Sequence, residues 1–366
     1  MENSGGIQAS LSGRYATALF ELAREGKSID SVGKSLDSLN AALKQSRDFA
    51  RLTTNPLLSR DAAAKAVGLP LWRYLAGDSP VRMPLPEIQI FGGGAHAQRR
   101  IDIQDLLVMP VGASCIDEAL AMVGDVYRAA GKLMDESGRR AGVADEGGWW
   151  PNFDSNEQAL EMLTRSIEKA GYRHGEVMIS LDIAASEFGR DGIYRPGLAG
   201  AAYTTDEWIA VLLDWVARYP ILSVEDPVAE DDRDGMVAFT AAVGDRVQVI
   251  GDDYLVTNAA RVDAAASDRA CNAVLIKPNQ AGTISETLAA LQAAKRHGMG
   301  TIVSARSGET EDVMIAHLSV GWHAGQLKVG SFARSERMAK WNELLRIEEA
   351  LGSHAIYAGR AALPIA

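Results

Sequence analysis

From about residue 176 onward, short apolar runs alternate with longer segments of helical periodicity, and each apolar run leads to a residue too polar for a core. VMISLDIAAS reaches Asp182, PILSVEDP reaches Glu225, VQVIGDDYL reaches Asp252 and AVLIKPNQ reaches Lys277. GTIVSARSG runs into Arg306, and GQLKVG carries Lys328. Runs of this length, rich in Val, Ile and Leu, predict buried strands. Between them, TTDEWIAVLLDWVARY and TISETLAALQAAKRHG read as helices, each opened by a capping box, Thr204 with Glu207 and Thr283 with Glu286. The charged positions succeed one another at intervals of 22 to 43 residues, the cadence of strand–helix units in a parallel barrel. A doubly wound open sheet is the rival arrangement. A charged residue closing every strand favours the barrel, whose site collects side chains from many strand ends. The pattern therefore predicts an α/β protein with a TIM-type barrel, preceded by a short α-helical segment.

That front segment differs in character. Residues 11–45 predict two amphipathic helices, the second with Val32, Leu36, Leu39 and Leu43 on one stripe and Lys34, Asp37 and Lys44 off it. The simplest reading is a small helical bundle without catalytic residues. Its apolar stripe would seek a partner, which predicts self-association. After LLSRDAAAKAVGLPLWRYLAGD the α/β pattern begins near Met83.

The chain has 366 residues, 47% of them hydrophobic, enough for one large α/β domain and something smaller. A formal charge of −11 argues against a nucleic-acid groove, which needs clustered Lys and Arg. No apolar run is long enough to span a bilayer. The opening MENSGGIQASLSGRYA lacks a basic region followed by an apolar core, so no secretory signal is expected. Cys115 and Cys271 have neither CxxC nor histidine-partner spacing, which fits a cytoplasmic location.

The strand ends carry the candidate chemistry. Asp182, Glu225 and Asp252 would converge at one rim. Like charges so close require a cation, and oxygen-only ligands select a hard one such as Mg²⁺. Helix N-capping is the alternative for any one of them. Lys277, placed at the barrel mouth by the apolar run before it and Pro278 after it, is a candidate general base if a nearby divalent cation lowers its pKa; a surface lysine is the alternative. Lys328 could pair with a substrate carboxylate. In GVADEGGWWPNF, Asp145 and Glu146 precede two glycines, either as a general acid on a closing loop or as an acidic turn. FGGGAHAQRR, with His96, suggests a mobile flap, although its spacing is not a dinucleotide fingerprint. Together these parts imply metal-dependent proton abstraction beside a carboxylate, with Mg²⁺ stabilising the enediolate.

VADEGG, LDIAASEF, SVEDPVAEDD, GDDYLVTN, LIKPNQAGT, SARSGETED, GQLKVGSFARSER and WNELLRIEEALG stand in the order found in enolases, and the chain resembles that family over about residues 67–353. The resemblance implies phosphopyruvate hydratase activity on a small phosphorylated carboxylic acid, 2-phosphoglycerate, in glycolysis. It implies Mg²⁺ at Asp182, Glu225 and Asp252, with Lys277 as the base at C2 and Glu146 assisting hydroxide departure from C3. Lys328 would hold the carboxylate, and Arg306 with Ser307 would grip the phosphate through a guanidinium fork and a hydroxyl. His96 and Asp105 fall at substrate-binding positions. The family also implies homo-oligomers.

Several positions depart from the pattern. The family's Ser-His-Arg-Ser-Gly-Glu-Thr has Ala305 in place of histidine, and the glutamate of its early Gln-Glu pair is Asp105. The flap Asn-Gly-Gly-x-His begins with Gly92 but keeps His96, and bulky Trp149 and Trp150 follow the Glu146 loop. Such changes around retained ionisable residues suggest a weak enolase or a relative acting on another phosphorylated or phosphonate acid.

Residues 7–64, with SGRYATALFELA and NPLLSRDAA, instead resemble the N-terminal helices of the ATP synthase δ subunit. The implied domains are a δ-like helical segment over 1–66, a remnant of the enolase N-terminal domain and linker over 67–84, and the barrel over 85–366. The join reads as a gene fusion or an assembly artefact. The family's N-terminal domain carries a mobile loop that closes the site, so a non-catalytic barrel without that lid is a further reading, as is contact with ATP synthase through the front helices.

Overall fold

The computed structural model describes residues 64–65, 68–97, 100–173, 175–198 and 200–365. The chain divides into two compact units, Met1–Leu69 and Pro70–Ala366, of which the second carries the candidate site. The stripe of Val32, Leu36, Leu39 and Leu43, and the association expected of it, lie outside the described residues. Among the described residues, no helix is long and apolar enough to cross a membrane.

Among the described residues, thirteen strands follow one another along the second unit. The first five are β1 (Leu85–Gly92), β2 (Asp105–Met109), β3 (Arg140–Val143), β4 (Trp149–Pro151) and β5 (Met178–Asp182). Next come the short β6 (Gly189–Arg190), β7 (Ile193–Tyr194) and β8 (Tyr203–Thr204), which form a small sheet of their own. The last five are β9 (Ile221–Glu225), β10 (Gln248–Gly251), β11 (Ala273–Ile276), β12 (Gly300–Ser304) and β13 (Gly325–Gly330). Strands β1, β2, β5, β9, β10, β11, β12 and β13 pair in that order, and β13 returns to β1, closing a barrel. Its helices are α1 (Leu71–Ala76), α2 (Ile116–Glu136), α3 (Asn156–Lys169), α4 (Thr205–Arg218), α5 (Arg233–Val243), α6 (Ala259–Asp268), α7 (Pro278–Ala281), α8 (Ile284–Arg296), α9 (Met314–Gly321) and α10 (Ser335–Leu351). Thr204 and Glu207 form the expected capping box at the start of α4, and at the start of α8 Thr283 caps the helix by accepting the Glu286 N–H.

The expected parallel cadence holds from β5 to β13 but not at the front, where β2 runs antiparallel to both β1 and β5. Residues 93–104 join β1 to β2 and carry, among the described residues, the 3-10 turn Gly94–Ala97 and no crossover helix; so short a connection returns the chain antiparallel. Gly93 makes the tight return possible, because a Cβ there would lie 2.2 Å from the carbonyl oxygen of Ile103. The reversal has a functional result. It brings Asp105, the first residue of β2, to the rim where the parallel strands end, directly opposite Asp182.

The barrel interior is layered. At the end opposite the rim, Leu85, Met109, Met178 and Leu222 pack with Leu363. Two residues before the rim positions, the strand period of two places a polar layer inside: Ser180 precedes Asp182, Ser223 precedes Glu225, and Gln326 precedes Lys328. Gln248 donates to Ser223 Oγ at 3.0 Å and to Gln326 Oε1 at 3.1 Å, and Ser180 donates to Glu87 Oε2 at 3.0 Å. These hydrogen bonds offset part of the cost of burying the polar layer.

Candidate active site

Three neighbouring strands deliver the expected carboxylates. Asp182 ends β5, Glu225 ends β9 opposite it, and Asp252 follows the last residue of β10. All three are buried. Lys328, inside β13, lies 2.7 Å from both Asp182 Oδ2 and Glu225 Oε2. Lys277, one residue beyond β11, pairs with Asp252 Oδ2. Burial alone would pull both ammonium groups down, but the adjoining carboxylates outweigh it and hold them above the ordinary lysine value. Burial, then the Asp182 charge, push the Glu225 carboxyl well up, because two acids share one ammonium. For Asp252, burial acts upward and Lys277 overrides it, leaving this acid low.

The lowering expected at position 277 was tied to a nearby divalent cation; among the protein's own groups the adjoining carboxylates dominate and act upward. The sign follows from neighbours that strand-end spacing does not describe.

The loops that follow the strands aim these groups. Asp226, with φ of 40°, accepts the N–H groups of Asp252 and Asp253 at 2.9 and 2.8 Å. Asp226, Asp252 and Asp253 thus form a compact acidic group, their carboxylate oxygens within 4.8 Å of one another. Both Asp226 oxygens already serve backbone amides, so this carboxylate shapes the turn that presents Asp252. Gln280, on α7, donates to Asp252 Oδ1 at 2.8 Å, and the Thr257 hydroxyl donates to Gln280 at 2.6 Å while accepting the Lys277 N–H at 3.0 Å. Thr257 holds φ of 51°, costly for a β-branched residue and the kind of strain that accompanies a positioned site. Asp226, Thr257 and Gln280 lie within the recognised motifs, but their spacing shows no chemistry of their own.

Across the rim, the two acids of the glycine loop separate: Asp145 is exposed, and Glu146 is buried against the cavity. The Glu146 carbonyl accepts the Ser331 N–H at 2.8 Å, and Gly330, at φ of 94°, lets the loop approach, since a Cβ there would sit 2.7 Å from that oxygen. Arg306 and Ser307 are exposed at the mouth. Beneath them, fully buried Arg337 donates to their carbonyls at 2.8 and 2.6 Å and lies 3.8 Å from Glu146 Oε1. Fully buried Lys340 holds the same loop through Glu309, 3.0 Å away.

Glu146, Asp105, Gln104, Asp182, Asp252, Lys277, Lys328, Arg306 and Ser307 line one cavity of about 150 Å³. Ala305 shares its wall. His96 lies in the Gly94–Ala97 turn, but its side chain is outside the described residues. Trp149 does not crowd the substrate space: its ring stacks on Tyr127 at 4.5 Å and its indole N–H donates to the Tyr127 carbonyl. Trp150 is likewise not among the lining residues.

The donor set fits a hard cation. The acids facing the cavity outnumber the cations, and Glu225 Oε1 is buried without a hydrogen-bond partner among the described residues. A buried carboxylate oxygen left in that state is ready to act as a ligand.

Comparisons agree with this geometry. Residues 80–365 match the family described as enolase, C-terminal TIM barrel domain, and residues 11–69 match the ATP synthase delta (OSCP) subunit family. Enolase 1 of Desulfitobacterium hafniense (strain Y51) is 47% identical over 333 residues, covering 88% of this chain and 76% of that protein. With the strand-end acids, the paired lysines and the Arg306 loop gathered on one barrel rim, this chain belongs to the enolase family.

Proposed function

We propose that this protein is a phosphopyruvate hydratase, a Mg²⁺-dependent lyase that dehydrates 2-phosphoglycerate to phosphoenolpyruvate. The observation that carries the reading is one small cavity lined by Lys277, Glu146, Lys328 and the Arg306–Ser307 pair, beside the strand-end acids. Arg306 and Ser307 bind the phosphate, and Lys328 orients the carboxylate. Lys277 takes the proton from C2, leaving its electron pair delocalised into the carboxylate as an enediolate. Glu146 then protonates the hydroxyl on C3; the C3–O bond breaks, water leaves, and the C2–C3 double bond forms. Asp182, Glu225 and Asp252 would hold Mg²⁺, which when bound supplies positive charge to stabilise the enediolate. Were Mg²⁺ to balance the charge of these acids, burial would be left as the main influence on Lys277, acting downward as a base requires. Asp105 and His96 complete the substrate contacts.

Ala305 favours a second reading. Its methyl group stands in the cavity wall where the family motif has an imidazole, leaving room for a bulkier substituent on a phosphorylated or phosphonate acid. The wider reading comprises a cytoplasmic enzyme, a homo-oligomer, and the division at 1–66, 67–84 and 85–366. Contact with ATP synthase through residues 11–69 rests on their family match alone.

The test is the rise in ultraviolet absorbance on mixing enzyme, Mg²⁺ and 2-phosphoglycerate. The rise is expected to vanish with Lys277→Ala or a chelator. No rise with the wild type, when the same protein turns over a bulkier analogue, would decide for the second reading.

A further inference from the structure

Gln89 lies on β1, fully buried, and belongs to none of the groups assigned a role above. Its side chain spans two parts of the site. The amide nitrogen donates to Asp105 Oδ1 at 2.5 Å, and the amide oxygen accepts the Gly148 N–H at 2.8 Å. A carboxylate only accepts and a backbone N–H only donates, so the bridging side chain must offer one donor and one acceptor. A primary amide does so in a single orientation. The fit is close: a Cβ on Gly148 would fall 2.4 Å from Gln89 Oε1, and one on Gly92 would fall 3.2 Å from Gln89 Nε2.

Gly148 closes the turn that carries Glu146. Its carbonyl accepts the Ala144 N–H at 2.8 Å, and the Ala144 carbonyl accepts the Gly147 N–H at 3.0 Å. The turn is thus tied to the barrel at the Ser331–Glu146 bond on one side and at Gln89 on the other.

We infer that Gln89 is a positioning residue that fixes the Glu146 turn relative to Asp105, and that its length is matched to the short side chain at 105. Asp105 is one methylene shorter than a glutamate, and Gln89 on the neighbouring strand is long enough to meet it. The inference rests on the proposed dehydration, because Glu146 acts there as the acid at C3.

The experiment compares Gln89→Leu, Gln89→Asn, Asp105→Glu and the pair Gln89→Asn/Asp105→Glu, in the full chain. Gln89→Leu is expected to lower kcat roughly a hundredfold, the scale for a group displaced by about 1 Å, with KM little changed. Gln89→Asn and Asp105→Glu should each lose activity. The pair, which moves one methylene from one side chain to the other, should recover at least tenfold over the worse single variant. Hydrogen exchange in the metal-free protein gives an independent readout: the Gly148 amide should exchange faster in Gln89→Leu and regain protection in the pair. Unchanged kcat in Gln89→Leu, or a pair no better than its worse single variant, overturns the inference. If wild type fails to turn over 2-phosphoglycerate, the dehydration reading fails, while Gly148 exchange still decides whether Gln89 holds the turn; unaltered exchange in both Gln89→Leu and Gln89→Asn overturns it.

Discussion

Arg337 Nη2 donates to the backbone carbonyl of Ser307 across 2.6 Å, from a side chain with no solvent exposure. The companion bond to the Arg306 carbonyl makes one guanidinium the floor of the loop whose side chains face the cavity. Its two terminal nitrogens divide the task, which a single ammonium does less well.

Arg337→Lys is accordingly expected to raise the KM for 2-phosphoglycerate roughly tenfold, a loss of about 1.4 kcal/mol in ground-state binding. Arg337→Met removes the donor to two carbonyls and the cation beside Glu146, and should cost about 3 kcal/mol of stability. Steady-state kinetics checks the first, and urea unfolding checks the second. An unaltered KM in Arg337→Lys would remove the loop-floor assignment.

Mg²⁺ should stabilise the folded protein, by about 2.7 kcal/mol at a hundred times its dissociation constant. Gln280→Leu removes the amide that orients Asp252 and is expected to raise the Mg²⁺ concentration required roughly tenfold. Thermal melts over a Mg²⁺ titration, each begun from chelator-treated protein, give both numbers. Identical titration midpoints would mean that Gln280 does not hold the ligand in place.

Ala305→His returns a polar ring to the cavity wall. For a 2-phosphoglycerate enzyme, kcat/KM should rise about tenfold, the scale of one hydrogen bond to substrate. A fall for 2-phosphoglycerate would point to a cavity shaped for a larger acid.

Glu87 sits beneath the site, wholly buried, and burial raises its carboxyl from the ordinary 4.5 to about 6, with Lys328 pulling the other way. Since the folded value lies above the unfolded one, ionising Glu87 opposes folding; the penalty is absent below pH 4.5 and complete above about pH 6. Glu87→Gln should therefore be about 2 kcal/mol more stable than wild type at pH 8 in chelator, and equal to it near pH 4. Urea unfolding at the two pH values measures the difference; a constant offset at both would remove the ionisation argument.

The alternation of apolar runs and helical segments determined the barrel's parallel part, because buried strands need apolar residues and their period makes strand ends recur. It also determined the rim acids, Lys277 and Lys328, which stand at those ends, and the family, through motifs several residues long. By residue type and spacing, Asp145 and Glu146 were equivalent neighbours in a glycine loop, and only the family resemblance singled out Glu146. The approach allowed at Gly330 buries one and leaves the other in water.

Other features depended on chain parts far apart in sequence. The antiparallel course of β2 was hidden because alternation along a strand has no direction; only the short 93–104 connection forces it, and it alone brings Asp105 opposite Asp182. Trp149 looked like bulk added to the site, but its ring found Tyr127 on α2. The lysine pKa directions, the hold of Arg337 on Arg306 and Ser307, and the bridge from Gln89 to Asp105 and Gly148 belong to the tertiary structure. Each is set by distances between side chains that the barrel's closure brings together, and burial decides how strongly their charges and hydrogen bonds act.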